Sequence, residues 1–459
     1  MTVRQLLVLL LTTTMVCFGA ASCRSFRPSG KPNILLITVD TLRADHLSCY
    51  GYPRRTSPAA DALAARGVLF VNAMAQIPET LPSIVSIMTA MYPIDHGVRE
   101  NGRDLGPQAA LLAEILRGNG YRTAGFVSCS LLSARRGIDR GFQHYDETVP
   151  DRFLLWPRGQ RTAEKTTDAA IAWIDQNAGR EPFFLWLHFI DPHSLYSPPP
   201  PFDDEFRNEP YSGIVDSSAK QFFRIIRGEL RIDSKDRQYL VDRYDGEIAF
   251  MESNVSRVLA ALERQNLGDT LIVYTADHGE SLGEHDYLFD HGDFLYDDQI
   301  RVPLIFSHPR LEQSLRVEHQ VETVDIMPTI LDFFGLAPRP EWRGRSLLAL
   351  LEGRPDTRPP SFSFSESSPC WEGGVRRCAP IGIEGKIYSL RSNQWKLVFD
   401  PTSGQSELFR LADDPAELTN RVTEEPLVAE LMRRHLTGLL EGMPVRDQPP
   451  LSEETLEEL

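Results

Sequence analysis

Positive charge falls short of negative charge in this sequence. Lys and Arg number 48 against 64 Asp and Glu, for a formal net charge of −16. That balance excludes bulk-charge attraction to nucleic acid or anionic lipid. An anionic substrate would have to be held by local cations or by a metal. Cysteine is scarce as well, with 6 in 459 residues, and no two cysteine pairs have the spacing of a structural zinc site. No internal repeat is visible. The apolar run Leu6 to Phe18 is short for a bilayer-spanning helix. What is present is an ordinary globular balance, 42% hydrophobic and 24% charged, in a length that suits one large domain with an appendage or two domains.

Residues 1–23 read as a targeting segment. Arg4 is the lone early charge, the apolar run follows, and Gly19, Ala20, Ala21 and Ser22 lead into Cys23. Small residues before a cysteine resemble a bacterial lipoprotein signal. That resemblance implies lipidation at Cys23 and a membrane-anchored protein of the cell envelope, facing the periplasm or the exterior. A plain secretory signal is the alternative. Residues 24–32 would be a tether. In an oxidising envelope Cys370 and Cys378, which enclose CWEGGVRRC, could pair as a disulfide; the sequence leaves this open.

The run NILLITV (33–39) is continuous, apolar and partly β-branched, and it ends at Asp40; TLIVYT (270–275) repeats the pattern and runs into Asp277 and His278. Such runs predict strands buried on both faces of a parallel sheet. Further strands are expected at 122–128, 183–190 and 302–306, and helices at 58–66, 82–91, 108–119, 162–178 and 237–266. The alternation predicts an α/β sandwich over residues 33–355 with a mostly parallel central sheet. After about residue 355 proline, serine and cysteine dominate. Strand-like pieces at 386–390, 394–399 and SELFRL, then a helix at 427–441, predict a small C-terminal α+β subdomain over 356–459, closed by an acidic tail.

Asp40 and the pair Asp277–His278 each sit just past the C-terminal end of an expected core strand, where open α/β sheets bind ligands. Oxygen with imidazole suits zinc or manganese, whereas an all-oxygen set would favour calcium or magnesium. Thr80, in PETLPSIVSIMTAMY, stands at or just before a helix start marked by Pro82. It is either an N-cap or a nucleophile aimed from the positive end of a helix.

At these residues the chain resembles the sulfatase family of the alkaline phosphatase superfamily. The stretches that carry the resemblance are PNILLITVDTLRADHLSCYGY, TLPSIVSIMTAMYPIDHGV, WLHFIDPHSLYSPPPPF, YDGEIAFMESNV and TADHGESLGEHDYLFDHG, with WRGRSL and SNQWKLVFDPTSGQSELFRLADDPAELTNRV later. The resemblance implies an alkaline-phosphatase-like fold and a divalent metal held by Asp40, Asp277, His278 and Thr80. It implies Thr80 as nucleophile, with His193 and His291 on the ester or the leaving group. Arg43 and Arg99 are candidate anion-binding residues.

Departures from the family are equally plain. Its C/S-x-P-x-R motif, source of formylglycine, reads Thr80-Leu81-Pro82-Ser83-Ile84 here, and threonine would yield a ketone rather than the aldehyde. Cys378-Ala379-Pro380 lacks the arginine too. Thr41 stands where many members carry a second metal aspartate, and Gly125-Phe126-Val127-Ser128 replaces a Lys-x-His segment. The expectation is a metal-dependent hydrolase, or transferase, of sulfate or phosphate esters, inclined to phosphodiesters, whose anionic substrate is a glycan, a lipid headgroup or a small molecule. The alternative is a catalytically degenerate relative that binds glycans or lipid headgroups.

Overall fold

The structure is a computed structural model and describes residues 31–149, 160–216, 218–355, 362–368 and 385–442. Cys23, the Cys370–Cys378 loop and the acidic tail lie outside the described residues.

The apolar runs become strands because every side chain they carry finds cover. In β1 (Asn33–Val39) all residues after Asn33 are buried. There follow β2 (Gly67–Met74), β3 (Arg122–Val127), β4 (His144–Asp146), β5 (Phe183–Phe189), β6 (Thr270–Ala276), β7 (Ser281–Leu282), β8 (Leu288–Asp290), β9 (Arg301–Ser307), β10 (Leu315–Val317) and β11 (Val321–Glu322). Nine of these build one sheet in the order β10-β2-β9-β6-β1-β5-β3-β4, with β11 beside β2, while β7 and β8 form a separate ribbon. Only β9 runs antiparallel to its neighbours in the large sheet; the other pairings are parallel.

Helices cover the sheet in two groups. Pro58–Ala65 and Ala163–Asn177 pack against the long Ser234–Arg264 helix, and Thr80–Thr89 packs against Leu112–Gly118 and Ile326–Phe333. The long helix starts where the Asp233 carboxylate caps it by accepting from the Lys235 and Asp236 N–H groups. Its buried stripe, from Leu240 through Ile248 and Val255 to Leu262, faces the core at helical spacing.

β2 was not expected. Its apolar run is interrupted by the half-buried Val71 and Asn72, where the pairing with β9 shifts register between Phe70 and Ala73.

The chain ends in a second, antiparallel sheet of β12 (Ser363–Glu366), β13 (Tyr388–Arg391), β14 (Trp395–Phe399) and β15 (Ser406–Arg410). The helix Pro426–Leu440 lies on β13 and β14. Phe364, Leu390, Leu397, Leu408, Met432 and Leu436 form its core, which Tyr92 and Val324 of the large unit complete. β12 was hidden in the proline- and serine-rich stretch. It leans on the large unit through its backbone, with the Glu366 N–H donating to Gln76 O at 2.9 Å.

Candidate active site

β1 and β6 are parallel neighbours in register, with Val39 opposite Ala276, so Asp40 and Asp277 leave the sheet side by side at one edge. Asp40 is tied to β5 through its N–H, which donates to Phe189 O at 2.9 Å. The chain then turns at Thr41 with φ 54°, a left-handed conformation that costs a β-branched residue energy. The turn is held because Tyr244 Oη donates to Thr41 O at 2.8 Å and the Thr41 N–H donates to Asp277 Oδ1 at 3.3 Å. After His278, glycine is required: a Cβ on Gly279 would collide with the Asp298 carbonyl.

Asp40, Asp277 and His278 are completely buried and bring a ligand atom each into one cluster. His278 Nε2 lies 3.7 Å from Asp40 Oδ1 and 3.8 Å from Asp277 Oδ2. Those three atoms have no hydrogen-bond partner among the described residues. His278 Nδ1 lies 2.9 Å from Gly279 O, so Nδ1 carries the proton and Nε2 presents a lone pair to two carboxylate oxygens. Burial and the nearby His291 push the His278 pKa down to about 3, so the ring stays neutral. Burial and the Asp40 charge push the Asp277 carboxyl well above its usual range. Three buried acceptors facing one another repel unless a cation sits between them. The residues therefore fit a divalent ion. Thr41 Oγ1 is likewise buried without a partner.

Thr80 is the first residue of the Thr80–Thr89 helix, after Glu79 at the N-cap. Its hydroxyl does not cap its own helix; Oγ1 donates to Asp40 Oδ2 at 3.3 Å. Asn101 accepts the Leu81 N–H at 3.0 Å, which leaves its own NH₂ as a donor beside Thr80.

Across from Thr80 the ring centroids of His193 and His291 are 5.3 Å apart. His291 Nδ1 lies 3.1 Å from Glu280 Oε1, and Tyr196 Oη donates to the other carboxylate oxygen. Burial alone would lower the His291 pKa, but the Glu280 hydrogen bond and charge outweigh it and raise the pKa to about 9. His291 is thus a cation at neutral pH.

These groups open onto a cavity of about 230 Å³. Its polar floor holds Asp40, Thr80, Asn101, His193 and His291, and Leu131, Ile190, Phe223 and Ile226 form an apolar wall. No Lys or Arg is among the described residues that line it.

Residues 32–336 match the family model for Sulfatase. The chain belongs to the sulfatase family. Arylsulfatase K of Mus musculus is 26% identical over 450 residues, covering 89% of this chain and 79% of the relative. N-acetylglucosamine-6-O-sulfatase of Bacteroides thetaiotaomicron is 25% identical over 493 residues, covering 88% and 86%. The solved structure of BT4656 with its substrate D-glucosamine-2-N,6-O-disulfate superposes with a TM-score of 0.74 at 20% identity, covering 92% of this chain and 99% of that one. Phosphonate monoester hydrolase SpPMH of Silicibacter pomeroyi superposes with a TM-score of 0.73 at 24% identity, covering 92% and 98%. The fold is therefore the sulfatase fold, and the protein is a metal-dependent ester hydrolase of that family.

The two arginines do not serve this sulfatase-family site as expected, since neither lines the cavity. Buried Arg43 makes a fork on Asp45 at 3.0 and 2.8 Å and reaches Glu280 O at 3.2 Å and Glu284 Oε1 at 3.1 Å. Arg99 makes a fork on the fully buried Glu366 of β12, at 2.8 and 3.0 Å, and reaches Tyr388 Oη. Carboxylates claimed both guanidinium groups, because in each pair one charge is buried, Arg43 in the first and Glu366 in the second, and a buried charge left unpaired is costly. Arg99→Met is expected to lower stability by about 1–2 kcal/mol, less than a full buried-pair loss because Lys386 still serves Glu366. KM should not move; denaturant unfolding beside Michaelis kinetics checks both.

Glu280, Asn101 and the apolar wall were not singled out from sequence. Glu280 stood inside the quoted TADHGESLG, two residues beyond His278, where a carboxylate could orient a histidine. For Asn101 and the wall there was no local signal.

Proposed function

We propose that this protein cleaves a monoanionic ester through covalent attack by Thr80, with phosphodiesters preferred over sulfate esters. The observation that carries the reading is the position of the Thr80 hydroxyl: at a helix N-terminus, 3.3 Å from Oδ2 of Asp40, a member of the buried ligand set, at the floor of a cavity. A divalent ion held by Asp40, Asp277, His278 and Thr80 would lower the hydroxyl's pKa and offset charge on the ester; zinc or manganese suits these donors best.

The chain's own groups account for the rest. Thr80 Oγ1, its proton released to solvent beforehand, forms the bond to phosphorus or sulfur as the bond to the departing oxygen breaks, and the helix N-terminus favours the charge on the attacking oxygen. His291, protonated because of Glu280, gives its Nε2 proton to the departing oxygen, and His193 contacts the ester beside it. Water then attacks the same centre and releases Thr80. This second step separates phosphorus from sulfur. Threonine has no second hydroxyl on its carbon, so a sulfated Thr80 must be cleared by attack at sulfur. A phosphorylated Thr80 is open to in-line attack by water or by an acceptor alcohol. A cavity without Lys or Arg among its described lining suits one negative charge better than two, hence a diester rather than a phosphomonoester. The apolar wall suits a leaving group or second ester arm with a hydrophobic face. The relatives named for sulfated sugars and the phosphonate monoester hydrolase keep both ester classes in the comparison.

Kinetics on 4-nitrophenyl sulfate, phosphate and a phosphodiester, with intact mass to trap the adduct on Thr80, test the proposal. Faster sulfate turnover through Thr80 overturns the phosphodiester preference. The proton donor has its own test. Activity should fall as pH rises through the His291 pKa, which the Glu280 hydrogen bond and charge hold above the ordinary imidazole value of 6.5, and Glu280→Gln should move that fall down towards 6.5. The same pair stabilises the fold fully below 6.5 and loses that contribution as pH rises through about 9.

The protein's place in the envelope belongs to the proposal too. Fatty-acid labelling should vanish in Cys23→Ala, and a variant still labelled and sedimenting with membranes rules out the anchor.

A further inference from the structure

We infer a second metal site, made by Cys129, His188 and Asp40, in which Asp40 bridges two ions. No Thr80 chemistry is assumed.

Three strand ends meet at this point. β5 carries His188, Cys129 follows β3, and Asp40 follows β1, and these strands are neighbours in the order β1-β5-β3. The three residues offer one ligand atom each within 4.8 Å of one another, and all three are buried, His188 and Asp40 completely. Bond lengths to tetrahedral zinc put ligand atoms roughly 3.3–3.8 Å apart, so His188 and Asp40 already stand at that spacing and no pair in the cluster has to close by more than about 1.5 Å.

His188 supplies the decisive atom. Its Nε2 is fully buried, has no hydrogen-bond partner among the described residues, and faces Asp40 Oδ2 at 3.7 Å, beyond hydrogen-bond length. Its Nδ1 lies 3.0 Å from Thr38 Oγ1. That hydroxyl already accepts the Trp186 indole N–H at 2.9 Å, and its own proton can go to Leu187 O at 3.4 Å. In that arrangement Nδ1 is the donor and Nε2 presents a lone pair to a carboxylate. An imidazole whose one N–H is held by a neighbouring oxygen, leaving the other nitrogen for an ion, is how metal-binding histidines are held.

Asp40 divides between the two clusters. Oδ1 faces His278, and Oδ2 faces His188. Cys129, a free thiol, lines the cavity, so an ion at this site keeps a position open to substrate. Thiolate with imidazole and carboxylate selects a soft or borderline ion such as zinc and disfavours calcium and magnesium. Binding releases the Cys129 proton to solvent. One ion is balanced by the carboxylates of Asp40 and Asp277. A second, offset only by the thiolate, leaves the site positive, which supplies attraction for an anion where the described lining has no Lys or Arg.

Cobalt(II) loading of the chelator-stripped full chain tests the site, read by elemental analysis and by the thiolate-to-cobalt charge-transfer band in the near ultraviolet. The wild type is expected to take two equivalents and show the band. Cys129→Ser and His188→Gln should each take one equivalent, and Cys129→Ser should lose the band. Cys49→Ser, at the other described free cysteine, should keep both signals. Asp277→Asn should lose the other equivalent and keep the band, which separates this site from the one used under the proposed function. A wild type with one equivalent and no band, or a band that survives Cys129→Ser, overturns the inference. The wild-type result decides even if a variant does not fold.

Discussion

Thr80→Ala is expected to reduce turnover by roughly four to six orders of magnitude, the range seen when a covalent nucleophile is deleted. The fold should hardly notice. Thr80 occupies the first helical position rather than the N-cap, and its hydroxyl hydrogen-bonds Asp40 at 3.3 Å. Loss of stability should therefore stay below about 1 kcal/mol, the usual worth of a cap. Thr80→Ser keeps a hydroxyl at the same place and should retain turnover and the covalent adduct. Turnover that survives in Thr80→Ala, with no adduct in the wild type, returns Thr80 to a packing role.

Asp277→Asn should change sign with the metal. In chelator the substitution removes one of two carboxylates buried against each other, and its Oδ1 can still accept the Thr41 and His278 N–H groups. The stripped variant should be more stable than the stripped wild type by on the order of 1–3 kcal/mol, the scale of a buried unsatisfied polar group. In the presence of metal the order reverses. Losing a direct anionic ligand should weaken metal affinity by more than about a hundredfold, since even partners one shell out cost 10–100-fold. Activity should fall with metal content. Melting curves with and without chelator, beside elemental analysis, check both halves. Unchanged metal content would remove Asp277 from the ligand set.

The strands that position the site were legible because burial on both faces leaves a plain signature. NILLITV and TLIVYT carry no polar residue on either face but threonine, one tyrosine and the leading asparagine, and an aspartate follows each within two residues. The helix after Thr80 was legible from Pro82 and the apolar spacing. What escaped depends on contacts distant in sequence. Arg99 looked available until Glu366, 267 residues away, was brought against it by β12. Glu280 became an orienting group only when β7 and β8 folded His291 back beside it. His188 read as one more position of a buried strand; the role of its Nε2, which faces Asp40, depends on Thr38, its partner across the β1–β5 pairing, and on the Trp186 indole that binds the same hydroxyl.

The lean of β12 on the large sheet bears on how the molecule comes apart. Ser365 Oγ donates to Ala75 O, the Glu366 N–H to Gln76 O, and Ser368 Oγ to Glu79, so one short strand braces the segment that runs into Thr80. Tyr92, just beyond the same helix, packs on Phe364 with ring centroids 5.1 Å apart and hydrogen-bonds Glu322. A melt confined to the small sheet would strip these supports and leave Glu366, Arg99 and Lys386 without their partners. The two sheets should accordingly unfold in a single calorimetric transition, and a protease nick that releases the C-terminal strands should silence catalysis without touching a reacting residue.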